Sequence, residues 1–197
     1  DYSTTAEPGR IRHPDGTLNS RAFGCALDMT PTSRPLDGVR VLEMGALIAG
    51  PFCCKILAEF GADVVKLEPP GLGDPLRKWR KLHDGNSLWW YAQARNKKSV
   101  AINLKAPAGQ EIVRKLASRA DIVVENFRPG TLEKWNLGYE ALSRDNPGLV
   151  MVRLSGFGQT GPCKDQPGFG AIGESMGGMR YITGYPDRAP VRVGISI

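Results

Sequence analysis

The stretch VRVLEMGALIAGPFCCKILAEFGADVVKLE, residues 39–68, decides the fold. Its opening, Val39-Arg40-Val41-Leu42-Glu43-Met44, is an apolar run of strand length. Gly45 to Gly50 reads as a tight turn. Pro51 then stands at a first helical position, ahead of Phe52-Cys53-Cys54-Lys55-Ile56-Leu57-Ala58-Glu59-Phe60. Gly61 closes that helix, because glycine tolerates the left-handed conformation a helix end requires. Ala62-Asp63-Val64-Val65-Lys66-Leu67-Glu68 is a second strand. Strand, helix and strand in this order make a βαβ unit, which implies a right-handed crossover and parallel pairing.

The same alternation continues downstream. After Pro69-Pro70 comes a long loop that holds Trp79, Trp89 and Trp90. Lys98 to Leu104 is a third strand, and Pro107 starts a helix whose Ile112, Val113, Leu116 and Ala120 form an apolar face. Asp121 to Phe127 is a fourth strand. Short helical pieces follow around Leu132–Trp135 and Tyr139–Arg144, broken by Gly138 and Pro147. Leu149 to Ser155 is a fifth strand. The expected class is α/β: a Rossmann-like, doubly wound, mainly parallel sheet with flanking helices. Upstream, residues 1–35 carry Pro8, Pro14, Pro31 and Pro35 without periodicity, and read as an extended N-terminal arm. No internal repeat is visible.

Composition narrows the function. The 197 residues are 41% hydrophobic, enough for a core, and no apolar run approaches the ~20 residues of a membrane helix. Gly (24) and Pro (15) predict many turns. The formal charge of +6 is uneven: residues 81–120 hold eight Lys and Arg against two Asp and Glu, while the other blocks nearly balance. A nucleic-acid binder spreads its charge over a face and interleaves aromatics. A local surplus suits one anionic ligand.

Cys25, Cys53, Cys54 and Cys163 match no metal spacing and make no disulfide framework, and Cys53-Cys54 reads as two small buried residues. A reducing compartment follows, cytoplasmic or, for a eukaryotic source, the mitochondrial matrix. His13 and His83 lie in turn-rich segments and build no metal site. Residues 1–20 lack the apolar core of a signal peptide. Arg10, Arg12 and Arg21 hint at a transit peptide, against which Asp1, Glu7 and Asp15 count. The chain opens on Asp rather than Met, so something upstream is expected.

Two GxGxxG strings are present, Gly156–Gly161 and Gly168–Gly173. The first follows a strand, but Pro162 and a polar loop come next instead of a helix. The second follows a loop. Neither is the first βα turn, where a dinucleotide fingerprint belongs, and no GxxxxGK[ST] exists. In a parallel sheet the ligand crevice lies beyond the carboxyl strand ends. Asp74 and Arg77, Lys105, and Asn126, Phe127 and Arg128 all fall there. Such a set suits phosphates, with an aromatic to cover a base. The same residues would equally make a solvated charged rim. No Ser-His-acid set is available, and no carboxylate pair is singled out by spacing.

The ordered segments Pro35–Glu43, Ala49-Gly50-Pro51, Leu57–Glu68, Gly73-Asp74, Asn96-Lys97-Lys98-Ser99, Val124–Gly130 and Ser155–Pro162 resemble the class III CoA-transferases. This CaiB/BaiF-like family includes formyl-CoA transferase and the carnitine CoA-transferases. The resemblance runs from about Pro35 to the last residue. It implies that residues 36–197 are the N-terminal part of a CoA-binding large domain, incomplete relative to the family's interlocked-dimer fold. By motif position, Asn103, Lys105, Asn126 and Lys134 fall where family members contact CoA, and Arg77 lies close by. Coenzyme A and acyl-CoA are then substrates, with no permanently bound cofactor and no metal. The implied reaction moves CoA from an acyl-CoA to a carboxylic or dicarboxylic acid. A family Asp attacks the thioester to give a mixed anhydride and CoA thiolate, and the thiolate returns to form an enzyme–CoA thioester.

Two departures stand out. Ile48 occupies a position where some members carry a Gln near the acyl group, so Ile48, Ala49 and Gly50 would line a more apolar pocket. The family nucleophile belongs to a Gly-Asp pair expected just beyond Ile197, so no catalytic residue is assigned in this chain. The implied partner is a second copy in a homodimer, or a further chain supplying the missing half. An alternative follows: a non-catalytic CoA-binding fragment or half-subunit. An acyl-CoA racemase is disfavoured, because Pro167-Gly168-Phe169-Gly170 has no acid and no His follows His83. Neither nucleic acid nor membrane is an expected partner.

Overall fold

The computed structural model describes residues 33–194. The greater part of the expected 1–35 arm, His13, Cys25 and Ile195 to Ile197 lie outside the described residues. The compact unit that carries the sheet begins at Arg34. Its first elements are β1 (Arg40–Glu43), α1 (Ala49–Glu59) and β2 (Asp63–Glu68). Helix α1 starts two residues before Pro51, and Gly61 has φ +110°, the left-handed end the sequence predicts. A Cβ on Gly61 would also lie 2.7 Å from Asp37 Oδ1, so the position admits only glycine without movement.

The segment read as one long loop after Glu68 is partly ordered. It contains a 3₁₀ turn (Pro75–Lys78), a hairpin of β3 (Leu82–His83) and β4 (Asn86–Ser87), and α2 (Leu88–Gln93). Aromatic and guanidinium groups hold it together. Arg80 lies 4.6 Å from the Trp79 ring, Trp79 meets Trp89 edge-on at 5.5 Å, and Arg77 covers Trp90 at 3.8 Å. Cation–ring pairs of this kind contribute about 0.5–2 kcal/mol each.

Next come β5 (Lys97–Ala101), α3 (Pro107–Ala117) and β6 (Ile122–Glu125). They are followed by α4 (Thr131–Lys134), α5 (Tyr139–Asp145), β7 (Val150–Arg153) and α6 (Gly170–Met176). The five long strands form one parallel sheet in the order β5-β2-β1-β6-β7. That order is doubly wound, and it reverses between β1 and β6, which defines the crevice where such sheets bind ligands.

Strand alternation divides the core between the two faces. Val41, Val64 and Val124 pack with Cys54 and Ala58 of α1. Leu42, Leu67 and Val123 pack with Val113 and Ala117 of α3. The predicted apolar face holds for Val113 and Ala120, which are buried, and for Leu116, which packs on the core, whereas Ile112 is 48% exposed and Gly109 and Ala117 are buried in addition. Small residues let the helix approach closely, and a Cβ on Gly109 would come within 2.1 Å of the Asn103 carbonyl oxygen.

Among the described residues no helix is long and apolar enough to cross a membrane, and no cluster of His, Cys, Asp and Glu could hold a metal. Cys54 is fully buried, as read, whereas Cys53 is only partly so. His83 is exposed on its hairpin turn.

Candidate functional site

Every site residue the sequence singled out follows, in chain order, the carboxyl end of a strand of the large sheet. Ile48, Ala49 and Gly50 follow β1, Arg77 follows β2, and Asn103 and Lys105 follow β5. Asn126, Phe127, Arg128 and Lys134 follow β6. From β5 to β6 spans three strand spacings, about 14 Å, enough for an extended ligand to lie along that edge.

At the switch point, Asn126 clamps the turn after β1. The Ala46 N–H donates to Asn126 Oδ1 (2.8 Å), and Asn126 Nδ2 donates to the Ala46 carbonyl (2.8 Å). Gly45 and Gly50 make room for it: a Cβ on Gly45 would lie 2.9 Å from Asn126 Oδ1 and 3.1 Å from Gly50 Cα. Asn126 therefore ties the two halves of the crevice together. Phe127 turns its half-buried ring inward and meets Trp135 edge-on at 5.5 Å, so the ring packs on the core. Arg128 and Lys134 are exposed.

Beneath the turn lies a set of charges that sequence reasoning did not connect. Glu43 and Lys66 are register neighbours at the carboxyl ends of the two central strands. Lys66 Nζ sits 2.7 Å from Glu43 Oε1 and 2.7 Å from Asp74 Oδ2, and Lys97 Nζ sits 2.8 Å from Glu43 Oε2. All four side chains are 0–2% exposed, and their charges sum to zero. Burial opposes the charge of Lys66, but Glu43 and Asp74 outweigh it and raise its pKa. For Lys97 burial dominates, and its pKa is lowered. Burial beside Glu43 also raises the Cys54 thiol, which leaves it unreactive. The signal in the sequence was a Glu and a Lys inside otherwise apolar buried strands.

A second cluster fixes Arg77. Its guanidinium grips Glu68 with two hydrogen bonds of 2.7 and 2.8 Å. The Ser99 hydroxyl (2.5 Å) and the Asp74 N–H (2.8 Å) donate to the same carboxylate. Burial works against ionisation of Glu68, yet these donors bring its pKa to about 2. Arg77 remains about one-third exposed and borders a cleft of about 310 Å³ with Pro69, Leu72 and Ser99. A guanidinium seated in this way presents its open edge in one orientation.

Asn103 and Lys105 form an exposed turn in which the Lys105 N–H donates to Asn103 Oδ1 (3.0 Å). The basic block is less available than its count suggests. Lys97 is buried on Glu43, Lys98 pairs with Asp63 (2.7 Å), and Arg95 pairs with Glu59 (2.9 Å). Lys105 enters no ion pair among the described residues. Across the sheet, Arg153 bridges Glu125 (2.8 Å) and Glu133 (2.6 Å). Burial raises the pKa of Glu125, and Arg153 lowers that of Glu133.

The first glycine of each GxGxxG string serves packing. A Cβ on Gly156 would lie 2.3 Å from Gly168 Cα, so the two meet backbone to backbone. The pair pinches the loop between them. The second string does open a helix, α6, at Gly170.

Comparison with known proteins agrees with this architecture. A succinyl-CoA–D-citramalate CoA-transferase of Chloroflexus aurantiacus is 62% identical over 165 residues, covering 83% of this chain and 41% of the relative. The mouse succinyl-CoA:glutarate CoA-transferase is 41% identical, covering 83% of this chain and 38% of the relative. A crystal structure of a CaiB/BaiF family protein from Brucella suis superposes with a TM-score of 0.78 at 38% identity, over 83% of this chain and 44% of that one. The chain thus spans about two fifths of the length of these relatives. The profile of CoA-transferase family III matches residues 36–197, and the chain belongs to that family.

Proposed function

We propose that residues 36–197 are the CoA-thioester-binding part of an enzyme that transfers CoA from succinyl-CoA to a dicarboxylic acid of the citramalate or malate type. The observation that carries this reading is the 62% identity with the D-citramalate transferase. The carboxyl edge supports it chemically. Lys105 offers a cation with no ion pair among the described residues and Arg77 an oriented guanidinium, both suited to CoA phosphates. Arg128 and Lys134 extend the basic edge, and Asn103 shapes the Lys105 turn. Ile48, Ala49 and Gly50, over the Asn126 clamp, would face the acyl end. Acyl-CoA enters and leaves as a substrate, so no resident cofactor is needed. The nucleophilic carboxylate comes from outside the described residues.

An assembly of more than one polypeptide is part of the proposal. Two relatives are named as the beta and alpha subunits of a succinyl-CoA–L-malate CoA-transferase, at 47% and 45% identity. An interlocked pair of chains, acting in a reducing compartment such as the cytoplasm, fits this reading. The test uses the full-length gene product with succinyl-CoA and D-citramalate, L-malate or glutarate, separating the CoA thioesters chromatographically. A new thioester should appear, and hydroxylamine should trap an acyl-enzyme. Absence of CoA exchange with all three acids overturns the reading.

A further inference from the structure

The turn from Gly45 to Pro51 is held more tightly than a connection at a sheet edge requires. Leu47 has φ +62°, a left-handed conformation unfavourable for a bulky side chain. It gains no compensating burial, since its side chain is 39% exposed at the crevice. Strain of this kind persists only where the surroundings over-determine it, and such positions cluster at functional sites. Here the surroundings are explicit. Lys66 Nζ donates to the Gly45 carbonyl (2.8 Å) and Lys97 Nζ to the Pro51 carbonyl (2.6 Å), one ammonium where the turn begins and one on the first turn of α1 that follows it. Between them, Asn126 holds both polar backbone atoms of Ala46, and Asp74 Oδ1 accepts from the Leu47 N–H (3.1 Å). Glu43 lies under the turn and contacts both ammonium groups.

Buried ion pairs are weak devices for stability, because well-packed apolar residues of the same volume serve as well. Charges that end on the carbonyl opening a turn and on a carbonyl of the helix start that closes it serve the geometry of that connection. We propose that Lys66 and Lys97, seated on Glu43, are positioning residues that fix the turn after β1 and the first turn of α1, residues 45–51, for the acyl end of the bound CoA thioester. This rests on the CoA-transfer reading. Neither lysine touches the substrate. They act through the backbone, by removing the freedom of the turn before the thioester arrives.

The test uses the full-length protein. Lys97→Met alone leaves Glu43 short of a counter-charge, so the informative variant is E43Q/K97M, which keeps Lys66 and Asp74 balanced. K97R, which keeps the charge but alters the reach, is the milder companion. Expected in both variants are a near-wild-type melting temperature, an unchanged KM for succinyl-CoA and a kcat about ten- to hundredfold lower. Amide hydrogen exchange in the peptide spanning residues 45–52 should be slow in the wild type and faster in E43Q/K97M. Wild-type kcat in a folded K97R or E43Q/K97M overturns the proposal, as does fast exchange of this peptide in the wild type. A wild-type protein that exchanges no CoA refutes the functional reading instead, and the amide exchange then decides the clamp alone.

Discussion

Replacing Glu68 by glutamine removes one negative charge while keeping the shape of a protonated carboxyl. In the folded protein the Glu68 carboxyl titrates near 2 against an ordinary 4.5, because Arg77, Ser99 and the Asp74 N–H bind its charged form more strongly than burial disfavours it. A difference of about 2.5 units corresponds to about 3 kcal/mol at ~1.4 kcal/mol per unit. The sign follows from linkage. A carboxyl with a depressed folded pKa contributes stability that is complete above its unfolded pKa and lost as pH falls through the folded one. The window is therefore pH 4.5 down to about 2. Glutamine mimics the protonated state throughout, so wild type and E68Q should differ by about 3 kcal/mol at pH 7 and converge near pH 2. Chemical denaturation of both proteins at a series of pH values measures this, and their difference cancels every other acid-titrating group. A difference that stays constant from pH 7 to pH 2 would refute the reasoning, because the loss would then be packing and not charge. The same variant frees Arg77 from its seat, so affinity for CoA should fall at pH 7 even where the fold is intact.

Other consequences are equally direct. Lys105→Ala should weaken CoA binding about tenfold, the scale of one charge-assisted contact, and calorimetry at rising salt should show the deficit shrinking. An unchanged Kd removes Lys105 from the site. Lys66→Met strands Glu43 and Asp74 with only Lys97 as counter-ion and should cost about 3–5 kcal/mol in denaturant titrations. A loss below ~1 kcal/mol would show that the network relaxes. Gly109→Ala drives a methyl into the Asn103 carbonyl, with an expected cost of about 1–3 kcal/mol. Because Asn103 anchors the Lys105 turn, CoA affinity should fall with it. Gly156→Ala should prise open the 156–168 pinch and expose the intervening loop to limited proteolysis, whereas Gly173→Ala, with open space around it and no left-handed φ, should not.

The βαβ opening was readable because its signals are local. Apolar runs of strand length, Pro51 near the helix start and Gly61 at its end all act within a few residues of themselves. Helix α3 shows where local signals stop short: Val113, Leu116 and Ala120 face the core as periodicity implies, but Ile112 does not. Periodicity identified a stripe, but the register of that stripe is set by how near the helix lies to the sheet. The contact between Gly109 and Asn103 brings it close enough to bury Gly109, Val113 and Ala117 and to leave Ile112 outside. The tryptophan-rich segment was opaque for a related reason. Its order comes from pairings such as Arg77 with Trp90, thirteen positions apart, which no local pattern announces. In the site, the positions at strand ends followed from topology alone. Their partners did not: the fit of Asn126 around Ala46 joins residues 80 positions apart.

Lys97 and Lys98 show why a charge count overstates a binding surface. They are adjacent in a run that reads as uniformly basic. On β5, however, successive side chains point to opposite faces. Lys97 turns inward, where desolvation would be prohibitive without Glu43, and Lys98 turns outward to Asp63. The neutralising acids come from other strands, so residues 81–120 keep their formal surplus while much of it is cancelled in space. The buried half of this pattern shapes the turn after β1, and the exposed remainder, Lys105 above all, is left to meet an anion. On the proposed CoA-transfer reading, one basic segment would serve both ends of a long ligand. On that reading Lys97 acts through the backbone beside the acyl end, and Lys105 answers to the phosphates.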